Sequence, residues 1–210
     1  PLPEIAQAVR GRGVDFVLVD GAQSVGMIPV ELSTTGVDAY AASPHKWLQA
    51  PKGLGLLWVS STLRSVMPRM WFRTPGDSIR DSARKYEDYS TRAWPAVVAL
   101  GDALDFQRSI GVEEKHRRYD ALWRRIHERV EAESGLTWRS PRAEPLRSMI
   151  IAVQAKGSRA PLLAPRLLEG VGGVVRAFGP PLDAIRLSPN LCTTDDELER
   201  FLDALAARAG

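Results

Sequence analysis

Two side chains in this sequence have the chemistry and spacing of a working pair. Lys46 sits in Ser43-Pro44-His45-Lys46-Trp47, beside an imidazole and a hydroxyl. Asp20 ends the apolar run Asp15–Asp20 and is followed by Gly21. A run of that kind reads as a buried strand of a parallel sheet, and Val37–Ser43, just ahead of the lysine, reads as the next strand. Groups at the carboxyl ends of neighbouring strands in an open α/β sheet face one crevice. An amine and a carboxylate across such a crevice suit pyridoxal phosphate (PLP). The amine can form a Schiff base with its aldehyde, and the carboxylate can keep its ring nitrogen protonated. Ser43, His45 and nearby backbone N–H groups could receive the phosphate. Each residue also has an ordinary reading: Asp20 as a turn-forming acid before Gly21, Lys46 as a solvated loop charge. Spacing alone leaves both open.

The surrounding elements have the rhythm of an α/β layer. Pro3–Val9 reads as a short helix with proline in its first turn. Gly53–Ser60 reads as a third strand, followed by a helix over Thr62–Met67 capped by Ser61. Trp71–Ser90 is polar and reads as a long loop, with a short strand near Lys85–Asp88; ordered loops of this length tend to be functional. Helices are predicted over Ala93–Ser109 and Val112–Glu133. In the second, Tyr119, Leu122, Ile126 and Val130 form an apolar stripe and the arginines are expected on a solvated back. Strands at Leu136–Arg139, Met149–Gln154, Gly173–Phe178 and Ala184–Leu187, a helix over Ala160–Leu168 and a last helix behind a Thr194/Glu197 capping box predict a small α+β domain.

Composition narrows the classes. The chain has 210 residues, net charge +3 and 44% hydrophobic residues, enough to bury a substantial core. Of the 28 basic residues, 23 are arginine, spread along the whole sequence rather than gathered with aromatics. That pattern does not predict a nucleic-acid surface. No apolar run is long enough for a membrane helix, so no membrane partner is expected. The single cysteine, Cys192, allows no internal disulfide and suits a reducing, cytoplasmic setting. The chain opens on Pro1, not Met, inside what reads as a helix, and is expected to be a fragment.

The stretch from Val19 to Val59 resembles the cofactor region of the class V aminotransferase family of fold-type I PLP enzymes. Val19-Asp20-Gly21-Ala22-Gln23, Gly36-Val37-Asp38-Ala39-Tyr40, Ser43-Pro44-His45-Lys46-Trp47 and Ala50-Pro51-Lys52-Gly53 match its ordered motifs. The resemblance implies an α/β fold: residues 1–92 as the C-terminal part of the PLP-binding large domain, mainly parallel sheet with helices, and 93–210 as connecting helices and a small α+β domain. It implies Lys46 as the Schiff-base lysine, Asp20 on the ring nitrogen, Gln23 on the phenolic oxygen, and Ser43 and His45 on the phosphate. Further on, Tyr89-Ser90-Thr91-Arg92 is similar to the family segment whose threonine reaches the partner subunit's cofactor, with serine where glycine is usual. This implies a role for Thr91 and a homodimer of the full-length protein. Ala184–Leu205 resembles the family ending, in which Arg186 would grip the substrate carboxylate; a guanidinium is well shaped for that group. Cys192 stands where the family often has tyrosine.

Within that family, reprotonation after loss of a Cα proton distinguishes transaminases from epimerases, and loss of a β-substituent makes a lyase. Cysteine desulfurases carry a nucleophilic cysteine on a loop ahead of the carboxylate-binding arginine. Val171–Ile185 has none, and Cys192 lies beyond Arg186, where it is expected to pack. The sequence therefore predicts transaminase or epimerase chemistry on an amino acid, with a desulfurase-type C–S lyase as the alternative. A further alternative is a non-catalytic fragment or subunit. The family residues that cover the ring and a phosphate-binding loop are not found in this sequence, and a bare sheet edge is expected where further strands would pair.

Overall fold

The computed structural model describes residues 1–68, 82–87 and 91–208. The chain divides into two compact units, Pro1–Ile110 and Gly111–Gly210.

The first unit begins with α1 (Leu2–Arg10), which has a proline in its first turn as expected. Its last residue, Arg10, reaches the Gly36 carbonyl at 3.1 Å and the Asp38 carboxylate at 2.6 Å. Asp38 also accepts the Val17 N–H at 2.8 Å, so one carboxylate ties the helix end to the approaches of two strands. Strand β1 (Leu18–Asp20) runs parallel to β2 (Ala39–Ala42), and β3 (Leu56–Val59) pairs antiparallel to β2. Among the described residues the order is β1-β2-β3, so β1 has an unpaired outer edge. The sequence predicted a longer first strand, buried on both faces. Only three residues join the ladder, and Phe16 and Leu18 are 49% and 57% exposed. An apolar run reports a preference for burial; it does not supply the neighbour that would bury it.

Ser60, not Ser61, caps α2 (Ser61–Val66): its hydroxyl accepts the Leu63 N–H at 3.2 Å. Most of the predicted long loop, with Asp88 and Ser90, lies outside the described residues. Within it Ala83–Tyr86 forms a 3-10 turn where a strand was expected. The reason is Lys85. Its buried ammonium donates to the carbonyls of Arg64 and Met67, the latter at 2.8 Å, and so closes the C-terminal end of α2. Helix α3 (Trp94–Ile110) completes the unit. Its buried Gln107 donates to the Gln49 side chain at 3.1 Å.

The second unit has an antiparallel sheet in the order β4-β5-β7-β6: β4 (Leu136–Trp138), β5 (Ile151–Ala155), β6 (Arg176–Phe178) and β7 (Ala184–Leu187). Helix α4 (Val112–Ala132) packs against β4, α5 (Ala160–Val171) against β6 and β7, and α6 (Asp195–Ala206) against α5. Alternate strand residues Ile151, Val153 and Ile185 are fully buried with Leu163, Leu167, Leu202 and Leu205 from the helices. The predicted α4 stripe of Tyr119, Leu122, Ile126 and Val130 is buried, joined by Trp123. Its arginines do not all face solvent. Arg118 pairs with Asp195 at 2.8 Å, Arg125 with Glu199, and Arg129 with Asp203 at 2.8 Å, a ladder from α4 to α6. Thr194 and Glu197 form the predicted capping box. Helix α5 runs three residues past its predicted end and stops at Gly172, whose φ of 69° suits glycine. No described helix is long and apolar enough to cross a membrane.

Candidate functional site

The parallel β1–β2 pair brings two loops to one end of the sheet. Asp20 is opposite Ala41, and the ladder continues when the Gly21 N–H donates to the Ala41 carbonyl at 2.7 Å. The chain then turns sharply: Ser24 and Val25 N–H groups both return to the Gly21 carbonyl. Gly21 has no side chain because the buried Tyr40 ring occupies the space a Cβ would need. The Tyr40 and Ser24 hydroxyls are hydrogen-bonded to each other.

From the end of β2, Ser43, buried Pro44, His45 and Lys46 form a turn in which the Lys46 N–H approaches the Ser43 carbonyl at 3.4 Å. The two loops are locked together at Gly26. Its φ is +85°, and a Cβ there would sit 2.7 Å from the Trp47 carbonyl carbon, so only glycine lets the backbones approach this closely. The Trp47 indole N–H then donates to Gln23 Oε1 at 3.0 Å. Indole nitrogen can only donate, so this bond fixes the Gln23 amide with its NH2 end as the remaining donor. Sequence reading singled out Gln23 but gave Trp47 no role. The signal available was a donor-only ring next to the lysine.

Asp20, Gln23, Ser43, His45 and Lys46 are thus gathered at one end of β1 and β2. Asp20 is exposed, and its Oδ1 accepts the Ala22 N–H at 3.0 Å. That is the turn-forming contact anticipated for an acid before glycine, and it leaves Oδ2 with no partner among the described residues. The Lys46 ammonium is half-buried and likewise has no hydrogen bond or ion pair among them. His45 Nδ1 is buried with no hydrogen-bond partner. Buried polar atoms are nearly always satisfied, so this orphaned nitrogen, one residue before Lys46 in the chain, is an exception that a bound group could satisfy. Thr91, three residues ahead of α3, is exposed.

Arg186 belongs to the second unit, in the middle of β7, opposite Ala152 on β5 and Arg176 on β6. It is half-buried, and its Nε is buried without a partner. The turn after β7 is pinned by Tyr119, whose hydroxyl donates to Asn190 Oδ1 at 2.9 Å. Burial, with the nearby Cys192, pushes the Tyr119 phenol up to about 12. Cys192 itself is exposed rather than packed, in the turn closed by the Thr193 N–H on the Asn190 carbonyl just ahead of the α6 cap. No cluster of metal-ligating residues occurs among the described residues.

The model of the aminotransferase class-V family matches residues 1–181, so the chain belongs to that family. The chain is 30% identical to isopenicillin N epimerase of Streptomyces clavuligerus, a match covering 100% of this chain and 56% of that protein. It is 28% identical to a probable cysteine desulfurase of Xylella fastidiosa, covering 98% and 52%. It therefore spans about half the length of the curated relatives it matches. Among solved structures, the apo cysteine desulfurase of Thermococcus onnurineus shares the fold with a TM-score of 0.81 at 18% identity, over 98% of this chain and 55% of that one. A C-DES mutant with glycine covalently linked to its PLP cofactor superposes with a TM-score of 0.77 at 25% identity, over 98% and 56%. The α/β fold-type I architecture expected from the sequence is the one observed.

Proposed function

We propose that this chain supplies the lysine-bearing part of a PLP site, in an enzyme acting at the amino group and Cα of an amino acid, of transaminase or epimerase type. The observation that carries this reading is the Lys46 side chain, unpaired among the described residues, one residue after His45 with its orphaned Nδ1 and at the same sheet end as Asp20. The donor set fits the group. Lys46 Nζ is the amine that would hold it, Asp20 Oδ2 is available for a ring N–H, and the Gln23 NH2 is left as a donor toward a phenolic oxygen. Ser43 and His45 offer a hydroxyl and an imidazole to a phosphate. Bound there, PLP supplies an aldehyde for the amine and a ring that takes up electron density from Cα.

Once a substrate amine has displaced it, Lys46 would be the base that removes the Cα proton; delivery of a proton to the opposite face of Cα would give epimerisation, and delivery to the cofactor carbon transamination. Arg186 holds the substrate carboxylate through charge-assisted hydrogen bonds. Thr91 serves the partner subunit's site in a homodimer, and the protein is cytoplasmic, consistent with a single cysteine that cannot form an internal disulfide. A C–S lyase of the desulfurase type is the second reading, favoured by relatives described as probable cysteine desulfurases. Against it stands the single cysteine, placed beyond Arg186.

The test is spectroscopic. The 210-residue chain and the longer protein are each mixed with PLP and scanned for long-wavelength absorbance that borohydride bleaches. The band is expected in wild type and absent in Lys46→Ala; an identical band in that variant overturns the assignment. A band confined to the longer protein would show that this chain alone is the non-catalytic piece. Keto acid release, Cα deuterium exchange and sulfide release then separate the three reactions.

A further inference from the structure

Arg186 is directly opposite Arg176 in the antiparallel β6–β7 register. Residues facing each other across a ladder share one face of the sheet, and like charges in that position destabilise it. On the other flank Arg186 faces Ala152, a small side chain without charge. Neither arginine forms an ion pair with a carboxylate among the described residues, although many other arginines of this unit do. Arg186 Nε is buried with nothing to donate to, while Arg176 is exposed at the edge strand. Two arginines directly opposite each other on one face of the sheet, neither paired with a carboxylate and one with an orphaned buried donor, make a place for more than one negative charge.

Resting on the reading of Arg186 as the carboxylate clamp, we propose that Arg176 is a second anion-binding residue and that the substrate carries a further acidic group. The ligand class is a dianionic amino acid or an amino acid extended by an acidic arm. Arg186 takes one carboxylate from its half-buried position. Arg176, more exposed and able to swing, takes the other. A dianion bound across them removes the cross-strand repulsion that the empty pair carries, so dianions gain over monoanions of equal size.

Valerate and glutarate, matched in chain length and differing by one carboxylate, are the probes. Binding to the full chain is followed by calorimetry at low salt, with circular dichroism confirming that each variant is folded. Wild type should bind glutarate about tenfold more tightly than valerate, the scale of one added charge-assisted contact. Arg176→Gln should abolish that preference, and Arg176→Lys should restore part of it. Arg186→Gln should weaken both ligands. If wild type shows no preference, or Arg176→Gln keeps it, the second site is refuted while the clamp at Arg186 stands. If Arg186→Gln leaves both affinities unchanged, the clamp itself is wrong, and this proposal falls with it.

Discussion

Trp47 illustrates how a residue that touches no reacting atom can decide what a neighbouring one offers. Its N–H holds Gln23 by the carbonyl end, so the amide presents its donor end outward. Phenylalanine at this position keeps the apolar bulk and removes the donor. Trp47→Phe should then weaken PLP binding roughly two- to tenfold, the scale of one net hydrogen bond, without altering the far-ultraviolet spectrum. A PLP titration followed by absorbance measures it, and an unchanged affinity would leave Trp47 as packing alone. At this scale the sequence was informative about residue types and less so about their states. Lys46, Asp20, Ser43 and His45 were singled out because each is chemically distinctive at a strand end, and Gln23 only through the family resemblance. That Asp20 is exposed and uses one oxygen for its turn, and that His45 Nδ1 is orphaned, depend on which atoms the folded backbone brings near, and no motif encodes that.

Helices and their caps were more legible than strands. The Thr194/Glu197 box was readable because its two partners lie three residues apart in one segment, and the structure forms both halves of it. Ser60 and Ser61 are adjacent hydroxyls, and only the observed dihedrals show which is the cap. Strand β1 was overestimated because its burial depends on neighbours distant in sequence. The α6 start also carries a pH response. Arg118 beside Asp195 and the Thr194 donors on Glu197 hold both carboxyls below the ordinary carboxylate range. Folded values below unfolded ones mean stability that is present above the ordinary range and lost as pH falls through the lowered values. Urea midpoints measured from about pH 6 down to about pH 3 should therefore decline, and Asp195→Asn combined with Glu197→Gln should flatten that decline. An unaltered slope in the double variant would place the acid sensitivity elsewhere.

The two compact units differ in completeness as they are described. The first has an unpaired edge at β1 with Phe16 and Leu18 exposed beside it; the second buries both its strand alternation and its helix stripes in one core. Residues 111–210 produced alone should therefore melt in a single cooperative transition by circular dichroism, and a featureless melt would contradict an autonomous second unit. The sequence divided the chain at 92 and 93 from motif positions, whereas compactness divides it at Ile110 and Gly111. The ladder from Arg118, Arg125 and Arg129 to α6 gives the second unit a temperature dependence of its own. Stripping water from charged groups becomes less costly on heating, so a network of pairs keeps more of its value near the melting point than its room-temperature worth suggests. Dissolved salt acts against the same network. The melting temperature of residues 111–210 should thus fall as sodium chloride is raised, and a rise would mean the ladder contributes nothing in heat.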